Sequence, residues 1–306
     1  MGFVRGRPQA AWAAIGLALA APAFAHAQDA APQTPPPPAQ AAPAPDKSGF
    51  TLFDPTPDAD LRSFCTDRPT KSTLACTVDA GHFQIESDIF NATFQHLGGV
   101  TTDTYLFTNP TLKLGLTNTT DAELTIAPIE TVVTHDHVTG SDSTLTGVGD
   151  LFAKLKWNLI GDDGGDVAVT LAPYVKAPTA RHGIGNGAVE EGVLLPITLT
   201  LPAGWALTID PEADALKNAN DNGRHLNYSG LLNFSHAITK TISGAVEIWG
   251  DVNDDPAGTV RQRSLDFALT WIPAKTPNLQ FDVGTNFGLN SATPGAQAYF
   301  GVSRRF

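Results

Sequence analysis

The residues with the most chemical capacity in this chain are carboxylates and amines set two positions apart. Gln84, Glu86 and Asp88 alternate along one stretch, Lys154 and Lys156 along another, and Asp210, Glu212 and Asp214 along a third. Asp150, Glu247, Arg263, Asp266 and Asp282 fall in similar surroundings. A spacing of two places side chains on one face of a β-strand. Strands of this kind, side by side, would make an acidic wall along which small solutes pass and cations are tolerated. The same residues would also suit a packed salt-bridge network that fills an interior.

Three other sets carry less. His135-Asp136-His137 has the alternate spacing of a transition-metal site, but it lies in a polar stretch where solvated side chains are the rule, and no metal is expected. Asn233, Ser235 and His236 are neighbours, yet Ser235 and His236 must point to opposite faces of a strand. No GxSxG turn is present, so neither a catalytic set nor a cofactor is expected. Gly183-Ile184-Gly185-Asn186-Gly187 has no helix after it to cradle a phosphate. The formal net charge of −12 argues against nucleic acid as a partner.

The elements that position the charged faces are strands. From His82 onward, twelve β-like runs alternate with turn-rich gaps: His82–Phe94, Thr102–Leu116, Ala122–Thr134, Gly147–Leu159, Asp166–Lys176, Gly192–Leu201, Trp205–Leu216, Arg224–His236, Thr241–Asp251, Arg263–Ile272, Leu279–Leu289 and Ala296–Phe306. Leu155, Trp157 and Leu159 oppose Lys154, Lys156 and Asn158. Leu265, Phe267, Leu269 and Trp271 oppose Asp266, Ala268 and Thr270. A soluble sandwich also alternates, but the gaps here keep a rhythm. Asn118–Asp121, Gly161–Gly165, Pro202–Gly204, Ala237–Lys240 and Pro273–Asn278 are short; His135–Thr146, Pro178–Glu191 and Val252–Gln262 are long. Short turns on one side and long loops on the other mark a transmembrane up-and-down antiparallel β-barrel. Runs of about 9–11 residues suffice to cross a bilayer when tilted. Residues 82–306 are therefore read as the barrel.

Ahead of it, Arg5 and Arg7, an apolar run from Ala10 to Ala25 and Ala25-His26-Ala27 form a signal peptide over residues 1–27. Residues 28–47, with Pro35-Pro36-Pro37-Pro38, are too poor in apolar side chains to order themselves and read as a disordered tether. Residues 48–81 are an ordered periplasmic or plug-like segment, in which Asp67-Arg68-Pro69 reads as a turn. Its cysteines, Cys65 and Cys76, are expected to form a disulfide in an oxidising compartment.

The last strand, Ala296–Phe306, ends the chain on an aromatic residue. Tyr299, Gly301 and Phe306 resemble the C-terminal signal read by barrel-assembly machinery, with Arg304 standing where an apolar residue is usual. Asp67-Arg68-Pro69, followed by Gly81-His82-Phe83-Gln84-Ile85-Glu86 and later Gly147-Val148-Gly149-Asp150, resembles the outer-membrane family named for the MetA pathway of phenol degradation. The resemblance implies a barrel linked to small organic, often aromatic, compounds. The expected protein is an outer-membrane channel or transporter for small solutes in a Gram-negative envelope, with its N-terminal segment periplasmic and lipid around it. The alternatives are a scaffold or surface-interaction barrel and, further off, a barrel hydrolase.

Overall fold

The computed structural model describes residues 46–306; residues 1–27, read above as a signal peptide, and most of 28–47, read as a tether, lie outside the described residues. Twelve antiparallel spans form one sheet. They are β1 (Phe83–Leu97), β2 (Val100–Thr117), β3 (Thr120–Ile126 and Ile129–Asp136), β4 (Ser141–Gly147 and Leu151–Ile160), β5 (Val167–Ala177), β6 (Glu190–Leu194 and Ile197–Thr200), β7 (Trp205–Lys217), β8 (Arg224–Ala237), β9 (Ile242–Asp255), β10 (Gly258–Trp271), β11 (Leu279–Gly288) and β12 (Ala296–Arg305). Each pairs with the next, and β12 pairs back onto β1 from Gln84↔Arg305 to Phe94↔Ala296. That last ladder closes the sheet, which leaves the barrel without an edge.

The interruptions have local causes. β6 breaks at Leu195–Pro196, where proline offers no N–H to a ladder. β3 breaks at Ala127–Pro128 for the same reason, and β4 breaks opposite it at Val148–Asp150. In β1 the register shifts between Asp88 and Phe90, a bulge that moves the inward phase from Asp88 to Asn91.

Two rims result. The terminal rim carries the start of β1 and the end of β12, where Phe306 N donates to Phe83 O at 2.8 Å and the two rings lie 6.0 Å apart. The opposite rim differs from the sequence expectation. His135–Thr146 and Val252–Gln262 are not loops. β3 and β4 continue as a hairpin to Asp136 and Ser141, and β9 and β10 run to Asp255 and Gly258. Thr and Val populate these stretches and suit a pleated ladder; their polarity reflects solvent on both faces rather than absence of structure. Pro178–Val189 does remain a connection without strand pairing.

The outside is apolar. Leu155, Leu232, Ile248, Phe267 and Val283 project outward and are exposed. Trp157, Trp205, Trp271, Phe281 and Phe306 are exposed toward the terminal rim; Phe94, Tyr228 and Phe287 are exposed toward the other. An apolar belt between two aromatic bands is the surface a bilayer requires. The inside is polar: Lys156, Gln84, Glu123, Glu247 and Asp266 are among the most deeply buried side chains.

Candidate functional site: the barrel interior

Residues 62–80 run through the barrel as an extended chain, and their contacts go round the wall. Ala75 O accepts from Asn158 Nδ2 (2.7 Å) on β4 and from Thr170 Oγ1 on β5. Thr73 N donates to Asp210 Oδ2 on β7 at 2.8 Å, Ser72 N to Glu247 Oε2 on β9 at 3.2 Å, and Val78 N to Asp121 Oδ2 on β3 at 2.8 Å. Only a segment inside a closed cylinder can reach all these strands. An extended chain has unpaired backbone N–H groups, and the wall supplies carboxylates to meet them.

Charge pairs fix the same segment. Arg68 reaches Asp88 Oδ1 on β1 (2.5 Å) and Asp282 Oδ1 on β11 (2.6 Å). Lys71 Nζ is ion-paired with Asp266 on β10, donates to Ser264 Oγ at 3.0 Å and lies 5.3 Å from the Trp249 ring centre. Asp67 receives Lys113 Nζ of β2 at 2.5 Å and Lys156 Nζ of β4 at 3.2 Å. Burial opposes ionisation of Asp67, yet Lys113, Lys156 and Lys154 hold its carboxyl well below the usual range. Lys113 also meets Glu86 (2.6 Å) and Glu123 (3.4 Å). At the terminal rim, buried Asp79 takes Arg305 Nη1 at 3.1 Å and Arg62 N at 3.2 Å. Cys65 and Cys76 are disulfide-bonded, closing the middle of the inner segment into a loop.

The sequence-derived candidates divide on this geometry. Gln84, Glu86, Asp88, Asp210, Glu247, Asp266 and Asp282 are buried on the inner wall, and Lys156 is almost fully buried. Lys154 pairs with Glu123 Oε2 at 3.2 Å, and Asp150 with Lys176 at 3.4 Å. Glu212 is half-buried and accepts from Ser229 Oγ at 3.1 Å. Arg263 needs correction. It is exposed and shares the parity of Leu265 and Phe267, which puts it on the outer face while Ser264 and Asp266 point in. Trp249 and Tyr299 face inward; Tyr299 is buried and hydrogen-bonds Asn286.

Gly301 lies on the inner face, where a Cβ would collide with the Arg68 guanidinium and with Ser87 O. Arg304 lies 4.7 Å from the Phe306 ring centre. Sequence reasoning missed Asp67, Arg68, Lys71, Lys113 and Glu123. Arg68 was read as part of a turn; it joins the inner segment to two strands. Lys113 and Glu123 carried the same alternate spacing as the residues that were found.

The weaker sets separate. His135 Nδ1 is in hydrogen-bond contact with Asp142 Oδ1, and His137 Nε2 meets Thr101 Oγ1 at 2.8 Å. Among the described residues no three His, Cys, Asp or Glu side chains converge as a metal cage. Asn233 Nδ2 donates to Glu247 at 3.0 Å inside, while His236 packs outside against Trp205 with ring centres 4.6 Å apart. Gly183–Gly187 folds against β4, with Arg181 N donating to Val148 O at 2.9 Å.

Towards the rim opposite the termini the wall changes character. Glu212, Asp214 and Asp251 have no lysine or arginine within ion-pair distance among the described residues. They are bound instead by neutral donors. Tyr174 OH donates to Asp214 at 2.8 Å, and Asn227 Nδ2 bridges Asp214 (3.1 Å) and Asp251 (2.7 Å).

A closed twelve-stranded barrel with an apolar belt, aromatic bands and a charged interior defines a transmembrane β-barrel of the bacterial outer membrane. The family model described as "Putative MetA-pathway of phenol degradation" matches residues 66–306, and the chain belongs to that family. Among solved structures, an outer membrane channel from Pseudomonas putida F1 superposes with a TM-score of 0.56 at 12% identity, covering 74% of this chain and 95% of that one. The NanC porin gives a TM-score of 0.45 at 10% identity over 72% and 98% of the two chains. The translocator domain of autotransporter NalP from Neisseria meningitidis gives 0.45 at 13% over 74% and 88%. The search of curated protein sequences found no match.

Proposed function

We propose that the protein is an outer-membrane channel for small solutes whose passage is closed by its own residues 62–80. The observation that carries this is the charge-paired seating of that segment across the lumen. Arg68 and Lys71 hold it to β1, β10 and β11, and Asp67 holds it to β2 and β4. A barrel that served only as a scaffold would need no removable filling, whereas a segment held by ion pairs and hydrogen bonds rather than by an apolar core can be displaced. The family's description, which names phenol degradation, supports small organic solutes as cargo.

In this reading residues 1–27 direct export and residues 28–47 are a tether. The terminal rim is periplasmic, so the segment enters from that side. The surface lipid and the barrel-assembly machinery are the partners, the latter reading Tyr299, Gly301 and Phe306. The test is planar-bilayer recording. Wild-type protein should give small, intermittent currents that favour cations, and a variant lacking residues 48–81 should give large steady ones. Silence from both would favour the scaffold reading.

A further inference from the structure

The outer face of β10 carries Arg261 and Arg263 and then, in steps of two, Leu265, Phe267 and Leu269. Polar surface therefore meets the apolar belt between Arg263 and Leu265. An arginine facing lipid costs most at the midplane and little near an interface, so this boundary is where two outward arginines can stand. Both are exposed. Their main chains are engaged, Arg263 N with Thr293 Oγ1 at 2.8 Å and Arg261 O with Asn290 Nδ2 at 2.8 Å, but among the described residues neither guanidinium has an ion-pair or hydrogen-bond partner. Two residues of strand separate their Cα atoms by about 6–7 Å, so both can address one headgroup.

Arg263 also closes one end of a groove of about 460 Å³ on this outer face. The floor of the groove is set by strand register. Arg263 pairs with Gly250 of β9, Gly250 with Gly230 of β8, and Gly230 with Pro211 of β7. Ile209, Leu232, Ile248 and Leu289 wall it. The row descends into the belt. On β8 two further outward side chains, Tyr228 and Leu226, lie beyond Gly230 and are apolar and half exposed. On β10 the residues beyond Arg263 are Arg261 and Thr259. The groove thus runs from a cation at the boundary into apolar surface.

Neither glycine is demanded by the backbone. A Cβ at Gly230 would come no nearer than 3.9 Å to Asp210 O, and one at Gly250 no nearer than 3.9 Å to Gln262 O. Glycine inside a strand weakens it and often marks a close approach by a ligand. What the two glycines contribute here is the open floor of the groove.

We infer that this face binds a phosphorylated, multiply acylated glycolipid of the outer leaflet, with a phosphate on Arg263 and Arg261 and one acyl chain over Gly250 and Gly230. A guanidinium fork matches two phosphate oxygens and pairs with them in a charge-assisted way. A lipid without phosphate would leave both cations unpaired, and a phosphate without chains would leave the groove unfilled. The inference rests on the channel reading only for the leaflet, because that reading turns this rim outward. Binding in micelles depends neither on orientation nor on current.

The experiment is native mass spectrometry on the full refolded chain released from detergent micelles. The chain is titrated with a multiply acylated glucosamine disaccharide bisphosphate, the same lipid after removal of its phosphates, acyl-free glucosamine 1-phosphate, and phosphatidylglycerol. The phosphorylated glycolipid should be held at least about tenfold more tightly than each of the other three, the scale set by a charge-assisted hydrogen bond. Arg263→Gln, which removes the cation, and Gly250→Leu, which fills the groove, should each weaken it about tenfold. Lys275→Gln, in the exposed β10–β11 turn at the terminal rim, should leave it unchanged. Heat-modifiability on a gel verifies folding of each variant; if Gly250→Leu does not fold, Arg263→Gln and Arg261→Gln decide. Equal retention of the dephosphorylated lipid, of glucosamine 1-phosphate or of phosphatidylglycerol would overturn the inference, and so would indifference to the substitutions. Glycolipid binding by a protein that passes no current would keep this site and remove the channel reading.

Discussion

Arg68 Nη2 lies 2.6 Å from Asp282 Oδ1, a contact between residues 214 positions apart. The other guanidinium nitrogen, Nη1, meets Asp88 at 2.5 Å, so a single side chain ties the inner segment across the seam where β12 closes onto β1. Both carboxylates are almost fully buried. Removing the cation leaves two buried negative charges facing each other, and breaking such a pair from one side costs about 3–5 kcal/mol. Arg68→Ala is therefore expected to unseat residues 62–80 and raise bilayer conductance several-fold. Arg68→Lys should give an intermediate result, because an ammonium cannot hold two carboxylates with one planar fork. Unchanged currents in both variants would show that the segment is held elsewhere.

The disulfide makes a second, separable contribution. Cys65 and Cys76 are 11 residues apart, flanking Arg68 and Lys71. Closing so short a loop is worth roughly 3 kcal/mol in the chain-entropy model. The double substitution Cys65→Ser/Cys76→Ser should leave the barrel intact by heat-modifiability, because neither cysteine belongs to a strand of the ladder. It should make residues 62–80 susceptible to protease added from the terminal side. Loss of the heat-modifiable band instead would mean that the inner segment is needed for the barrel itself.

Much of this was legible in the chain. Lys154, Lys156 and Asn158 against Leu155, Trp157 and Leu159 told inside from outside, because a barrel wall has two solvents and a period of two. Arg263 was misplaced because its charge was weighed above its parity with Leu265. Far-rim loops were overestimated because Thr, Ser and Asp in Ser141–Gly147 read as polar linker, although a hairpin that leaves the membrane needs no apolar face. The ion pairs of Arg68 could not be read, since nothing local in Asp67-Arg68-Pro69 specifies partners on β1 and β11. The phase change after Asp88 was equally hidden; a bulge at Ile89 reverses the faces without any turn residue to announce it.

Acid should loosen the inner segment through Asp67. Its carboxyl is held far below the ordinary value, so its ionised form contributes its full stability above a pH of about 4, the unfolded value, and that contribution shrinks progressively as pH falls from there towards the much lower folded value. Asp162, in the β4–β5 turn, runs the opposite way: burial raises it despite Arg62, and it takes up its proton more readily when folded. Conductance should therefore rise only modestly between pH 7 and pH 3, where the Asp67 contribution has begun to shrink but its carboxyl is still ionised in the folded protein. Asp67→Asn should show the higher current already at pH 7 and lose most of the difference. A variant that keeps the full acid response would assign the effect to other groups.

Gly301 gives the sharpest test of how seam and inner segment depend on one another. It pairs with Asp88 of β1 and Asp282 of β11, the two carboxylates that receive Arg68. A Cβ placed there would strike the Arg68 guanidinium and the main-chain Ser87 O. The first clash can be relieved by swinging a long side chain away, whereas the second needs β1 to move against β12. Overpacking of this kind costs about 1–3 kcal/mol. Gly301→Ala is expected to lower the unfolding midpoint of the heat-modifiable form and to raise conductance together. Adding Arg68→Ala to it separates the two clashes. If Ser87 O dominates, the two losses add and the double variant unfolds earlier than either single variant; if the guanidinium dominates, the double variant should unfold no earlier than Arg68→Ala by itself. A Gly301→Ala protein with wild-type midpoint and current would mean that the seam has slack, and that the glycine is there for a step before the barrel closes.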